Sequence, residues 1–186
     1  LTETTNAYTI TITDGSVAIA DLNTINAATT VAVTATAINT LTGAAAAMNT
    51  AYTAGANGEI TGLANEAITL DDTSLAVATL NTLNGNTTGV INAATINTLT
   101  GGVAAMNTAY TANTDGEISG LANEAITLDD TSLAIATLNT LNGNTTGVIN
   151  AATINTLTGA AATMNTVYTA AGNGEISNLG NEAITL

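Results

Sequence analysis

The chain has 186 residues, 14 acidic side chains and no Lys, Arg or His, giving a formal charge of −14. Cys, Pro, Phe and Trp are also absent. Disulfides, thiolate metal sites and a histidine base are therefore excluded, and with no cation to clamp phosphate, nucleic acid is not an expected partner. An apolar fraction of 46% and a positive mean hydropathy separate the chain from disordered sequences. No unbroken apolar run is long enough to span a bilayer.

In chain order, residues 1–12, "LTETTNAYTITI", stand where the tail of a preceding repeat would stand. Three repeats follow, 13–70, 71–128 and 129–186, read as one continuous solenoid. "INTLTG" starts at Ile38, Ile96 and Ile154, and "GEI" at Gly58, Gly116 and Gly174, a constant step of 58 residues. The last two copies differ mildly, as at Val77 against Ile135 and Ala109 against Val167, whereas the first copy has drifted further.

Within a repeat, Leu75, Ala76, Leu80 and Leu83 lie near one helical stripe, which predicts a helix over 73–85 with Asp72 or Thr73 as its N-cap and Asn84-Gly85 as its stop. "GVINAATINTL" (89–99) is rich in β-branched residues and predicts strand. Val103, Met106 and Tyr110 share a helical face, which predicts a second helix over 101–112, capped by Thr100 and ended by "TDG". "EISGLANEAITL" (117–128) returns to strand. The order strand–helix–strand–helix, in two units averaging 29 residues, implies parallel strands with crossover helices. Such short units bury a face only by stacking. The expected fold is an α/β solenoid, with a parallel sheet on one side and helices on the other. An all-β parallel solenoid is the alternative.

Stacking turns every repeated residue into a row, with equivalent residues two coils apart at about 10 Å. Asn23, Asn81 and Asn139 form one row, Asn39, Asn97 and Asn155 another, and Asn49, Asn107 and Asn165 a third; they read as turn or strand-end residues whose amides bond to neighbouring coils. Tyr52, Tyr110 and Tyr168 share one position, where the ring packs under the helix and the hydroxyl reaches water. The acids cluster most densely in "GLANEAITLDDTSLA", with Glu66, Asp71 and Asp72, copied as Glu124, Asp129 and Asp130. Carboxylate pairs suit a hard cation, so Asp71, Asp72, Asp129 and Asp130 are the candidate calcium ligands, although the spacing matches no EF-hand. Capping a helix N-terminus explains the same pair without metal. No other cofactor is expected.

"GLANEAITLDDTSLAVATLNTLNGNTTGVINAATINTLTG" resembles the tandem modules of very large secreted or cell-surface repeat proteins of marine cyanobacteria and related bacteria, and the resemblance covers essentially the whole chain. It implies an extracellular, adhesive, coat or filament role and supplies no catalytic residues. The expected function is therefore structural: a stretch of surface filament, coat or adhesin stalk, without catalysis, assembling head-to-tail or laterally with like modules. A calcium-, glycan- or ice-binding module is the alternative. The first copy reads "TNAYTITITDG" where the others read "LANEAITLDDT", so a ligand tied to Glu66 and Asp71 does not extend to it.

Overall fold

The computed structural model describes residues 6–186; residues 1–5 of the 1–12 segment lie outside the described residues. From Ser16 the elements are β1 (Ser16–Ala18), α1 (Ile19–Ala27), β2 (Val33–Thr34), β3 (Thr40–Gly43), α2 (Ala45–Ala56), β4 (Ile60–Thr61) and β5 (Ala67–Leu70). The same order repeats as β6 (Ser74–Ala76), α3 (Val77–Asn86), β7 (Ile91–Asn92), β8 (Thr98–Gly101), α4 (Val103–Asp115), β9 (Ile118–Ser119) and β10 (Ala125–Leu128). It recurs once more as β11 (Ser132–Ala134), α5 (Ile135–Asn144), β12 (Ile149–Asn150), β13 (Thr156–Thr158), α6 (Ala161–Gly172), β14 (Ile176–Ser177) and β15 (Ala183–Thr185).

The chain forms two compact units, and each is an α/β solenoid of stacked strand–helix coils with parallel sheets. The first comprises residues 1–72, 82–95 and 116–119; the second comprises 73–81, 96–115 and 120–186. The helices rule out the all-β alternative. Each 58-residue step holds five short strands and two helices, rather than two strands and two helices. "GVINAATINTL" and "EISGLANEAITL" each split into two strands around a turn, because Asn92 and Ser119 end the first piece and a polar loop intervenes.

In the first unit the strands order as β1-β3-β5-β7-β9, all parallel, with β2 pairing β4 separately. Register stacks Val17, Leu41, Ile68, Ile91 and Ile118 into one column. In the second unit the order is β6-β8-β10-β12-β14, and Leu75, Leu99, Ile126, Ile149 and Ile176 make the equivalent column. A shorter sheet, β11-β13-β15, begins the same series with Leu133 and Leu157. Most column members are almost wholly buried. Each contributes about 1.5–3 kcal/mol of hydrophobic burial, which offsets the cost of ordering strands only two to four residues long.

The helices follow from Ala, Leu and Met at the inward positions. Leu22 in α1, Met48 in α2 and Leu138 in α5 are fully buried, and α1 packs on α2, α4 on α5 and α5 on α6. Two expectations fail at the helix starts. "SLA" is strand β6 and α3 begins at Val77, because Leu75 points inward between exposed Ser74 and Ala76, which is strand alternation. Thr100 lies inside β8, so it cannot cap α4. Asn84-Gly85 do not stop α3, which runs through them to Asn86, whereas "TDG" ends its helix as read: α4 closes at Asp115, ahead of Gly116 at φ +84. α2 ends in the same way on Asn57 and Gly58, with Gly58 at φ +79, Gly58 N–H donating to Gly55 O and Glu59 N–H donating to Ala54 O. That pair of bonds is the Schellman turn, and a positive φ is why glycine stands there. Among the described residues no helix is long and apolar enough to cross a membrane.

Candidate functional site

The three acids of the opening cluster take three different positions. Leu70 ends β5 in register with Gly43 of β3, so the chain beyond β5 runs alongside the chain beyond β3. Two residues on, Asp72 faces Ala45, the first residue of α2, and its Oδ2 accepts the Ala45 N–H at 2.8 Å. The second unit repeats this: Leu128 pairs Gly101, and Asp130 Oδ2 accepts the Val103 N–H of α4 at 2.7 Å. The Asp pair is thus a helix cap, but for the helix 27 residues earlier rather than for the one that follows it. Ala44, at the α2 N-cap position, offers no side-chain bond, so the next coil satisfies the free N–H and places negative charge at the positive end of the helix.

Asp71 and Asp129 are exposed. Asp71 lines a hollow of about 280 Å³ at the first turn of α1, beside Ala18, Ile19, Gly43 and Ala44. In the second unit, the Oδ1 atoms of Asp129 and Asp130 each lie 3.5 Å from the position a Gly102 Cβ would take, so the two carboxylates converge there. Among the described residues no three His, Cys, Asp or Glu side chains come together as a metal cluster; Glu66 and Glu124 do not join the Asp pairs.

Glu66 and Glu124 are instead buried to 1% exposure. Tyr52 Oη donates to Glu66 Oε2 at 2.8 Å, and Tyr110 Oη to Glu124 Oε2 at 2.7 Å. The Ala64 N–H is shared between both Glu66 oxygens at 3.1 Å, and the Ala122 N–H bonds Glu124 in the same way. Thr87 and Thr145 add hydrogen bonds to the two tyrosine hydroxyls. Gly89 and Gly147 close the covering loops: an added Cβ would overlap the carbonyl oxygen of Glu66 or Glu124, so no larger residue fits. The tyrosine hydroxyls do not reach water as expected, since Tyr52 and Tyr110 are buried and bonded to a carboxylate. Burial, above all, pushes both hydroxyls well beyond the ordinary tyrosine range, with the glutamate adding to the shift.

Tyr168 and Glu182 make the third pair, at 2.8 Å, but both are half-exposed. Burial, then Glu182, raises the Tyr168 hydroxyl to about 12. Glu182 is lowered on balance: burial pushes it up, but the Gly180 N–H and the Tyr168 hydroxyl favour the carboxylate more. This constellation escaped the sequence reading. Its signal was a Tyr and a Glu 14 residues apart at 52/66, 110/124 and 168/182.

The asparagine rows serve the helices more than the turns. Asn23 Nδ2 in α1 donates to Ala47 O of α2 at 3.0 Å, and Asn107 Nδ2 in α4 donates to Thr137 O of α5 at 3.0 Å. Asn155 bonds locally, to Thr153 O. Another row pairs Asn26 with Glu59, Asn84 with Glu117 and Asn142 with Glu175, each through Nδ2 and Oε2 at 3.2, 2.8 and 2.7 Å. In the first unit the Asn26–Glu59 pair borders an open hollow of about 440 Å³, lined also by Asn49, Thr50, Thr53 and Asn57. One carboxylate lines it, where acid–base cleavage of a glycosidic bond uses two. Compared with models of known protein families, with curated proteins and with solved structures, the chain finds no match.

Proposed function

We propose that this chain is a structural length of an extracellular repeat protein, a segment of a surface filament, coat or adhesin stalk, and performs no catalysis. The supporting observation is that four of its repeated acids are spent on joining coils. Asp72 and Asp130 close helices of the coil before, and Glu66 and Glu124 hold tyrosines under a covering loop. A chemistry-bearing group copied at a fixed step and bonded into the scaffold is a building element before it is a pocket. The absence of Lys and Arg leaves no site for trypsin-like proteases, which favours persistence outside a cell. The resemblance to giant surface repeat proteins of marine cyanobacteria points the same way, and like modules are the expected partners. The test is to image the native assembly and fractionate the cells that make it. A surface-exposed fibre or coat with an axial repeat near ~10 Å, two stacked coils, supports the reading; a small monomer inside the cell overturns it.

Calcium binding is the second reading, favoured by the convergence of Asp129 and Asp130 over Gly102. Calorimetric titration of the chelator-washed chain with calcium should give a saturable heat that Asp129→Asn removes. A flat titration rejects it.

A further inference from the structure

Four Asn-Gly pairs occur in the chain: 57–58, 84–85, 142–143 and 173–174. In a flexible peptide all four would be open to the same spontaneous chemistry, attack of the glycine amide nitrogen on the asparagine side chain, because glycine has no Cβ to hinder it. The fold separates them. Asn84 and Asn142 lie inside α3 and α5, next to buried Leu83 and Leu141, and their amide nitrogens are held by Glu117 and Glu175. Asn57 and Asn173 are the C-caps of α2 and α6, exposed, with ψ of −6° and −8°. The glycines after them stand in open space at φ +79 and +83. The second copy holds Asp115-Gly116 at this place, with Gly116 at φ +84, so a carboxylate is already compatible with the turn.

We propose that this helix-ending turn, at Asn57-Gly58, Asp115-Gly116 and Asn173-Gly174, is a self-modifying site present once per repeat, converting to aspartate and isoaspartate through a cyclic imide. The Gly58 nitrogen bonds to Asn57 Cγ while the Cγ–Nδ2 bond breaks, and ammonia leaves carrying the former Gly58 amide proton. Water then opens the five-membered ring at either carbonyl, giving aspartate or the β-linked isomer. Asp115 forms the same ring by losing water instead of ammonia. To react, the turn must release one bond, Gly58 N–H to Gly55 O at 3.0 Å or Gly174 N–H to Ala171 O at 3.1 Å, and swing ψ away from its helical value. Fraying of a helix end costs little, whereas Asn84 and Asn142 react only when a packed helix opens. The product adds negative charge beside Glu59 or Glu175, and at Asn173 it removes the amide that donates to Glu175 Oε1 at 3.4 Å. The isoaspartyl form also inserts a methylene into the chain at the turn.

The full chain, incubated folded in ¹⁸O-water at neutral pH, would be cut with a glutamate-specific protease and each site located by tandem mass spectrometry, since Asn142 and Asn173 share one peptide. Labelling at Asn57 and Asn173 should outpace Asn84 and Asn142 by about tenfold or more, reflecting end-fraying against helix opening. Asp115 should take up label and become a substrate for isoaspartyl methyltransferase. In strong urea all four asparagines should label at similar rates. Asn57→Gln should silence position 57 and leave 173 unchanged. Equal rates at all four sites in the folded chain, or no label at 57 and 173 while the urea sample labels fully, would overturn the proposal.

Discussion

The Tyr110–Glu124 and Tyr168–Glu182 pairs, both in the second unit, have the same residues, spacing and bond length within 0.1 Å, yet they differ in what lies over them. The first is sealed by a loop carrying Thr145, Thr146 and Gly147, whose threonine hydroxyls bond to Ala122 O. The consequence is read on the acids. Glu124 falls to 1% exposure, while Glu182 stays half-exposed and titrates below its ordinary range. The covering loop, rather than the hydrogen bond itself, is what makes the Tyr110–Glu124 pair a buried tie. Burying an unpaired polar group is costly, so the sealed pair should tolerate far less damage.

That contrast can be broken by mutation. Glu124→Ala strands the Tyr110 hydroxyl and the Ala122 N–H in a dry site and should cost about 2–4 kcal/mol in denaturant unfolding, against less than about 1 kcal/mol for Glu182→Ala. Equal costs would mean that the covering loop does not make the difference. Tyr110→Phe should cost about 1–3 kcal/mol, since it removes a donor from a buried carboxylate. The capping acids sharpen the comparison one step down. Asp130→Ala should lose about 1 kcal/mol, typical of a helix cap, and hydrogen exchange should quicken first at the α4 N-terminus. Its neighbour Asp129→Ala should stay within about 0.5 kcal/mol. A reversed order would refute capping across coils.

Titration separates the pairs again. A tyrosine raised in the fold keeps its proton where the unfolded chain loses it, so the stabilising effect is complete below the unfolded pKa of about 10 and is lost as pH rises beyond it. Chemical melts from pH 9 upward should show falling stability that Tyr110→Phe partly removes. Glu182 has the opposite sign. Its folded value is depressed, so its contribution is present above the ordinary glutamate range and fades as pH falls below it. The smallest expected effect is ionic. Fourteen negative charges with no cationic partner repel, and raising salt from dilute buffer to 1 M shortens the screening length to about 3 Å, so the melting temperature should rise modestly. No rise would show that the acids are too far apart or too well bonded to interact.

The period and the strand character of "AITL" were legible in the sequence, because each depends on local pattern. Two features were not. Leu75, Leu80 and Leu83 fit a helical stripe as well as Leu75 fits a strand column, and only pairing with Leu99 decides between them. Likewise, the N–H that Asp72 satisfies lies 27 residues back, a distance set by the register of β3 and β5 rather than by any spacing visible around Asp72. The Tyr–Glu tie was available as a 14-residue interval. At Glu66 and Glu124 two nearby aspartates mask it, although the fold turns these glutamates inward while Asp71 and Asp129 stay exposed.

The five-strand ladder from Ser16 to Ser119 has a consequence for heredity. It draws its strands from a stretch longer than one 58-residue period, so no single period contains a finished sheet. Gains and losses in the coding sequence are then filtered by arithmetic. Unequal recombination that adds or removes whole periods hands every strand an equivalent neighbour and leaves the columns of Leu and Ile in step. A one-residue insertion within a strand, by contrast, puts an exposed threonine where an inward leucine must go. Such a protein can vary freely in the number of its periods while each period stays nearly unchanged, as the closeness of the second and third copies illustrates.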